Sequence, residues 1–171
     1  VVIRENDQAI ALISVLCETD FVARNDSFIA MTNELGDMLL DGSFNERSQD
    51  FITNTIATIG ENVKVKQSIV ITKKPGKSYN SYIHGKNEII SLVEAEGVPT
   101  DDIKSLAMHV CASNPTYITK NDIPSETIQK EYEIASDQLK DLGKPQNILE
   151  KMINGKVDKV TSQMCLYHQN Y

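Results

Sequence analysis

Residues 10–40 read IALISVLCETDFVARNDSFIAMTNELGDMLL, and this stretch decides the fold class. Residues 10–16 form a short apolar run rich in β-branched side chains, which is typical of a buried strand. Over residues 27–40 the apolar side chains recur at steps of three and four, which predicts an amphipathic helix with its stripe at Phe28, Met31, Leu35, Met38 and Leu39. A strand, a loop (residues 17–26) and a helix in this order favour an α+β fold.

The flanking residues extend this unit in both directions. Residues 1–4 are predicted to pair with the strand as a hairpin across a polar turn. A second helix is predicted to run to about Thr58, with Gly60 as its left-handed cap. Alternation over residues 63–71 predicts a half-exposed strand, and KKPGK at residues 73–77 predicts a turn.

After this turn the order of strand, turn, strand, loop and helix begins again, with strands at residues 78–84 and 88–96. Residues 13–16 (ISVL) match residues 90–93 (ISLV) in type and position. We therefore predict two related subdomains, each an antiparallel sheet packed with helices. Chance similarity between two apolar strands is the alternative.

The last third of the chain has a different pattern, with two helices around Leu142-Gly143-Lys144-Pro145, where Gly ends one helix and Pro opens the next. We expect Ser125 to cap the first helix. Its apolar residues step by four and three, which predicts a heptad seam in an antiparallel coiled coil, at Ile128, Tyr132, Ala135, Leu139 and Leu142. Residues 148–160 would form the second arm, and residues 162–171 show no clear element.

The predicted organisation therefore has four parts. They are one core subdomain at residues 1–77, a second at 78–123, a coiled-coil hairpin at 124–161 and a tail at 162–171. The start, VVIRENDQ, shows neither an initiator Met nor a signal-peptide pattern, so a fragment of a longer chain is one interpretation.

Composition argues against several classes of protein. With 24 acidic and 17 basic residues the net charge is −7, which disfavours a nucleic-acid partner. The three cysteines are far apart and lack C-x-x-C spacing, so we expect neither disulfides nor a zinc ribbon, and a reducing compartment fits best. No apolar run reaches the roughly 18 residues that a membrane span needs.

The sequence also lacks the patterns of common catalytic sites. No phosphate-binding loop, dinucleotide fingerprint or nucleophile elbow is present, and the three histidines show no metal-ligand spacing. Asp101 and Asp102 begin a predicted helix, where negative charge suits the dipole. We expect no enzyme, no metal and no cofactor. A small enzyme that uses His109 with nearby carboxylates is the least favoured alternative.

Two features remain as candidate sites. The first is Thr19-Asp20-Phe21-Val22-Ala23, where a large aromatic side chain lies in a connection of the kind that proteins usually expose. The alternative is that Phe21 and Val22 fold back under the following helix as a hydrophobic staple. The second feature is His84-Gly85 at a predicted hairpin tip, for which a solvated turn histidine is the alternative.

Residues 17–25, CETDFVARN, resemble the T-D-F-V-A signature of the elongation factor Ts family. Three further segments resemble the family's I-G-E-N, Y-x-H-G and I-A-M-H-V motifs in the same order, at residues 59–63, 82–85 and 106–110. Residues 124–155 are similar to its coiled-coil region with E-K-E-Y and G-K-P…E-K-M. The resemblance covers nearly the whole chain.

This resemblance implies a translation factor of the bacterial cytoplasm, with an organellar matrix or stroma left open. Such a protein binds elongation factor Tu and promotes release of GDP and Mg²⁺, and itself holds no nucleotide. It has two subdomains built from a repeated sheet-plus-helix unit and an inserted coiled coil. The family's amino-terminal three-helix module and the return segment after the coil are not visible in the sequence.

The resemblance also implies which residues contact the GTPase. Phe21 would enter an apolar slot beside the Mg²⁺ site with Asp20 fixing the loop, and the contacts there would come from Thr19, Asp20, Phe21, Val22, Ile59 and Gly60. His84 and Gly85 would touch the partner elsewhere. The alternative from another class is a scaffold that dimerises through the coil or a sheet face without exchange activity. A homodimer, or a heterotetramer with the partner, is left open.

Overall fold

The structure is a computed structural model that describes residues 1–171. The chain forms two compact units, Val1–Cys111 and Ala112–Tyr171. The first unit holds five antiparallel strands in two small sheets together with helices, and the second is helical. The predicted α+β class is therefore confirmed. None of the helices has the length and apolar character that a membrane-spanning segment requires.

The first sheet has three antiparallel strands, β1 (Val2–Glu5), β2 (Ala9–Leu16) and β3 (Lys64–Thr72), in the order β1-β2-β3. The side-chain oxygen of Asn6 accepts hydrogen bonds from the backbone N–H groups of Gln8 and Ala9 at 2.9 and 2.8 Å, which forms the turn between β1 and β2. The register between β2 and β3 shifts at Ser14/Val15. This bulge lies next to the carboxyl end of β2, where the candidate site begins.

One face of this sheet is covered by two helices, α2 (Asp26–Asp41) and α3 (Phe44–Ile59). The buried core between helices and sheet consists of Val2, Ile13, Val15, Phe28, Met31, Leu35, Met38 and Val63. The helical stripe predicted from the sequence supplies four of these residues, so the pattern identified the face that packs on the sheet. Leu35 has no exposed surface and lies within this cluster.

Helix ends follow local sequence signals. The side chain of Asn25 accepts a hydrogen bond from the Ser27 N–H at 2.8 Å and so caps the start of α2. Gly60 ends α3 in the left-handed conformation, with φ at 79°, as its position after an apolar stripe predicts.

The second sheet has two antiparallel strands, β4 (Lys77–His84) and β5 (Ile89–Glu96), and is followed by α4 (Thr100–Ser113). The buried Ser91 hydroxyl on β5 donates a 2.6 Å hydrogen bond to the carbonyl of Ala107 on α4. Ala107 is itself fully buried. The helix therefore packs closely on the strand that precedes it.

In the second unit two helices form a hairpin, α5 (Ser125–Leu139) and α6 (Gln146–Met164), joined by a short 3₁₀ turn and Gly143 at φ 61°. Lys156 on α6 donates a hydrogen bond to the side-chain oxygen of Gln138 on α5. Ala135 and Ile153 are buried, one on each helix. This arrangement is a helical hairpin, as the Gly and Pro signals predict.

The coiled-coil seam predicted for this hairpin is not confirmed. Ile128, Tyr132 and Leu142 keep 39, 37 and 48% of their surface exposed, and Ala135 alone of the five predicted seam residues is buried. A helix in a two-helix hairpin has one neighbour, which covers the line of closest approach and leaves the flanking apolar side chains accessible. The N-cap expected at Ser125 is also wrong, because Ser125 begins the helix and Pro124 is the cap.

The tail is more ordered than the sequence indicated. Helix α6 continues to Met164, and residues 166–168 form a 3₁₀ turn. Cys165 has no exposed surface and pairs in parallel with Tyr117, and the Leu166 N–H donates to the Tyr117 carbonyl at 2.9 Å. The expectation of no clear element here is wrong, because a partner segment more than 40 residues away supplies the hydrogen bonds.

Candidate functional site

The first candidate site is a one-turn helix, α1 (Asp20–Ala23), directly after β2. Thr19 is its N-cap with extended backbone, and the Thr19 hydroxyl oxygen accepts a 3.3 Å hydrogen bond from the Val22 N–H. The sequence predicted a plain loop here. The correction is that threonine followed by an acidic residue supplies both the cap and the charge that favour a helix start.

Two neighbouring apolar side chains of α1 have opposite environments. Phe21 is 81% exposed, whereas Val22 is partly buried and packs against the core of the first unit. The staple alternative is therefore wrong for Phe21 and agrees with the structure for Val22. An aromatic ring that is almost fully exposed while its neighbour anchors the turn gives the surface an apolar protrusion.

The backbone before α1 is held by a carboxylate that is distant in sequence. Glu61 Oε2 accepts hydrogen bonds from the N–H groups of Glu18 and Thr19 at 3.1 and 3.0 Å, and Glu61 Oε1 accepts one from the Thr19 hydroxyl at 2.5 Å. The bond from the Thr19 hydroxyl, followed by those from the two N–H groups, lowers the pKa of the Glu61 carboxyl. The carboxyl therefore stays ionised to a lower pH than an ordinary glutamate does.

An ion pair and a thiol hydrogen bond also lie in this turn. Asp20 forms an ion pair with Arg24 at 3.2 Å between Oδ2 and Nη2, and both side chains are largely exposed. An exposed pair of this kind stabilises the turn only weakly. Cys17 Sγ donates to the Thr19 carbonyl at 3.3 Å, and desolvation followed by the charge of Glu61 raises the pKa of this thiol. The thiol is therefore a structural donor in this turn.

Ile59 and Gly60 lie at the end of α3, immediately before the carboxylate that holds α1. Ile59 is partly buried against the core, and Gly60 is exposed, with its N–H donating to the Ile56 carbonyl at 2.8 Å. The structure thus brings the end of α3 and the α1 turn together through Glu61. Residues 59–60 and 19–22 belong to one continuous region of the first unit.

Replacing Gly60 with alanine is expected to lower the free energy of unfolding by about 1 kcal/mol, because φ at 79° strains a residue with a Cβ. A Cβ at this position would meet no atom within 4 Å, so the loss comes from backbone conformation and not from a clash. Urea denaturation followed by circular dichroism measures it.

Gly155→Ala is the matched control for this prediction. Gly155 lies inside α6, and a methyl group added there would also meet open space, but its φ is not positive. This change is expected to stabilise the chain by about 0.5–1 kcal/mol. Equal effects of the two substitutions would contradict the conformational explanation.

The second candidate site is the end of β4. His84 is its last residue and is exposed, and its Nδ1 lies 3.3 Å from the Tyr82 hydroxyl. Gly85 follows at φ 65° and starts the turn to β5. The predicted hairpin tip is confirmed. The ring contact between Tyr82 and His84, with centroids 6.0 Å apart, restrains the imidazole at the tip.

A cleft of about 390 Å³ borders the α1 turn within the first unit. Thr19, Asp20 and Arg24 line one part of it. Another part is lined by the three residues that follow Gly85, which are Lys86, Asn87 and Glu88. The Val1 amino group also donates to the Asn87 carbonyl at 2.6 Å. The turn between β4 and β5 and the α1 turn therefore border the same surface depression.

Sequence reasoning identified the residues that protrude and missed the residue that holds them. Glu61 belongs to the I-G-E-N segment, in which the resemblance assigns contacts to Ile59 and Gly60 alone. No local pattern predicts a hydrogen bond across 42 residues between Glu61 and Thr19. No group of three or more His, Cys, Asp or Glu side chains is placed to hold a metal ion.

The fold and the site together are those of a mixed α+β protein that displays an aromatic side chain on a short helical turn at its surface. The family model of elongation factor Ts matches residues 18–171. The chain belongs to the elongation factor Ts family, which confirms the resemblance carried by its motifs.

Curated relatives agree with the family match. The chain is 32% identical to elongation factor Ts of Pediococcus pentosaceus, with 97% of the chain and 61% of that protein covered. It is 32% identical to elongation factor Ts of Levilactobacillus brevis, with 99% of the chain and 62% of that protein covered. It is 36% identical to elongation factor Ts of Photorhabdus laumondii, with 94% of the chain and 58% of that protein covered. The chain thus spans about three fifths of the length of these relatives.

Proposed function

We propose that this chain acts in protein biosynthesis as a guanine-nucleotide exchange factor that binds elongation factor Tu and promotes release of GDP and Mg²⁺. The observation that carries this proposal is Phe21, which is 81% exposed on a turn whose backbone is held from both sides. The family match supports it. A held and exposed aromatic ring is a common anchor of protein interfaces.

Exchange requires no bond chemistry from this chain. A factor that binds the nucleotide-free GTPase more tightly than the GDP-bound form must weaken GDP binding by the same factor. A thousandfold weakening corresponds to about 4 kcal/mol of differential contact. Burial of one aromatic side chain together with a few hydrogen bonds supplies this amount, provided that the contacts fit only the empty GTPase.

In this proposal Phe21 enters an apolar slot of the GTPase beside its Mg²⁺ site. Asp20 adds a weak ion pair with Arg24 to the turn, while Thr19 caps the turn and Val22 packs it against the core. The GTPase also contacts the end of α3 at Ile59 and Gly60. Entry of the ring moves the GTPase residues that form the slot. Mg²⁺ and then the phosphates of the nucleotide thereby lose their protein ligands. Nucleotide and metal belong to the partner, and this chain carries no cofactor.

A second contact is proposed at the tip of β4, through His84 and Gly85. Both residues are exposed, and the contact between the Tyr82 and His84 rings limits the conformations of the imidazole. Two contacts on one compact unit would fix the orientation of the partner. Binding energy gained at one contact then supports distortion at the other.

The finer fold predictions belong to the same proposal. A strand followed by a helix occurs twice in the first unit, at β2 with α2 and at β5 with α4, which supports two related subdomains divided near residue 77. The α5–α6 hairpin would correspond to the family's coiled coil. We place the protein in the bacterial cytoplasm, with neither nucleic acid nor membrane as a direct partner.

The direct test measures release of fluorescent GDP from elongation factor Tu by stopped flow. Addition of the chain is expected to accelerate release by about 100-fold or more, because a coupling of about 3 kcal/mol suffices for that factor. The rate should saturate with chain concentration. An unchanged rate at concentrations where sedimentation shows a complex would refute the exchange function.

A scaffold without exchange activity is the second candidate function. It is favoured by the apolar side chains that the α5–α6 hairpin leaves exposed, among them Ile128, Ile134, Leu142, Ile148 and Met152. Sedimentation velocity of the chain alone and with elongation factor Tu separates the two candidates. A dimer that neither binds the GTPase nor changes its rate of GDP release identifies the scaffold.

A further inference from the structure

Glu61 forms the long-range polar contact that organises the Phe21 turn. Its two carboxylate oxygens accept three hydrogen bonds, from the N–H groups of Glu18 and Thr19 and from the Thr19 hydroxyl, at 3.1, 3.0 and 2.5 Å. The acceptor itself is well anchored. Gly60 closes α3 on one side of it, and Val63 is buried in the core on the other.

Helix α1 has little stability of its own. It contains four residues, none of them buried, and a single isolated helical turn is unstable in water. Its order must come from contacts with the rest of the unit. Val22 supplies an apolar contact, and Glu61 supplies the polar ones.

The hydrogen bonds connect the carboxylate to the Phe21 backbone through one intermediate. The Thr19 hydroxyl donates its proton to Glu61 Oε1 and accepts the Val22 N–H with its lone pair. Because the hydroxyl has one proton, a hydrogen-bond acceptor at position 61 determines that its lone pair faces Val22. The peptide between Phe21 and Val22 is therefore oriented by a residue that lies far from it in sequence.

We propose that Glu61 is a positioning residue that orders the Phe21 turn in the free protein and so prepares it for the partner. The effect on exchange rests on the function proposed above; the effect on the turn does not. A preordered turn loses less conformational entropy on binding, which increases affinity without any new contact. The bond from the Thr19 hydroxyl, which lowers the pKa of the Glu61 carboxyl, is consistent with this role.

Two substitutions separate the geometry of Glu61 from its charge. Glu61→Ala removes all three acceptor contacts. Glu61→Gln keeps the shape, and its one remaining oxygen can accept both N–H groups, but its amide nitrogen faces the Thr19 hydroxyl as a second donor. The turn should therefore loosen partly in the glutamine variant and fully in the alanine variant. Glu150→Ala, at an exposed position of α6, is the matched control.

The first experiment uses the free chain and requires no partner. Amide hydrogen exchange measured by NMR is expected to become about tenfold faster or more at Glu18, Thr19 and Val22 in Glu61→Ala, because these amides lose their protection. Glu61→Gln should give an intermediate rate at Val22. Amides of β2, such as that of Ile13, and all amides in Glu150→Ala should stay as in the wild type. Unchanged protection of the turn in Glu61→Ala would overturn the proposal.

The second experiment measures affinity for nucleotide-free elongation factor Tu in a double-mutant cycle. Glu61→Ala is expected to weaken binding about tenfold, and Phe21→Ala about 100-fold. Since Glu61 acts through presentation of Phe21, the double variant should bind about as weakly as Phe21→Ala. Multiplied losses in the double variant would show that Glu61 acts by another route.

The two experiments keep the inference and the proposed function apart. If the wild-type chain neither binds the GTPase nor accelerates GDP release, the proposed function is wrong. Amide exchange still decides whether Glu61 orders the turn. If binding and nucleotide exchange are as proposed but Glu61→Ala leaves the hydrogen-exchange rates of the turn amides unchanged, the positioning role is wrong. The proposed function is then unaffected.

Discussion

Replacing Phe21 with alanine is expected to reduce the acceleration of GDP release from elongation factor Tu by about 100-fold, because a buried aromatic ring contributes roughly 3 kcal/mol to an interface. The free chain should be as stable as the wild type. The ring is 81% exposed, so its removal leaves no cavity and breaks no packing. Loss of activity without loss of stability is the signature of a contact residue.

Stopped-flow release of fluorescent GDP measures the first effect, and urea denaturation of the free chain measures the second. Tyr167→Ala is the control, because this aromatic side chain is 75% exposed in the other unit and has no proposed contact with the GTPase. Phe21→Leu should retain an intermediate rate, since leucine keeps part of the apolar surface. A release rate for Phe21→Ala equal to that of the wild type would refute the insertion of the ring into the partner.

Replacing Leu35 with alanine is expected to lower the free energy of unfolding by about 3 kcal/mol, within the range of about 2–5 for buried leucines. Leu35 has no exposed surface and lies in the core between α2 and the first sheet. Truncation removes apolar burial and leaves a cavity that neighbours such as Phe28 and Met31 fill only in part.

Urea denaturation followed by circular dichroism measures this prediction. Leu142→Ala is the matched control, because the same atoms are removed from a side chain that is 48% exposed, and we expect a loss below about 1 kcal/mol. Equal losses for the two leucines would contradict the assignment of Leu35 to the core. At temperatures where Leu35→Ala remains folded, its exchange activity should stay near that of the wild type, in contrast to Phe21→Ala.

Much of the fold could be predicted because regular elements leave a periodic pattern. The stripe over residues 27–40 predicts α2 (Asp26–Asp41) to within one residue at each end, and alternation over residues 63–71 predicts β3 (Lys64–Thr72) equally well. The left-handed cap at Gly60 follows from its position alone. These features depend on neighbours within a few residues, and side-chain order contains that information.

Predictions that required a neighbouring segment were less successful. The stepping from Ile128 to Leu142 resembles a heptad seam, but how much of it is buried depends on what covers the helix, and one neighbour leaves most of it exposed. The order around Cys165 depends on Tyr117, whose backbone pairs with it. The periodic pattern of one helix contains no information on either partner.

The sequence by itself determined the five strands, the helices other than α1, the cap at Gly60 and the motifs that identify the family, because local conformation and motif order follow from adjacent residues. Only the tertiary structure decided that Phe21 points outward while Val22 packs inward, and that Glu61 holds the turn between them and β2. The physical reason is that burial and hydrogen bonding across 42 residues depend on which segments meet in space. Which segments come into contact depends on the packing of the whole unit. No single stretch of the sequence contains that information.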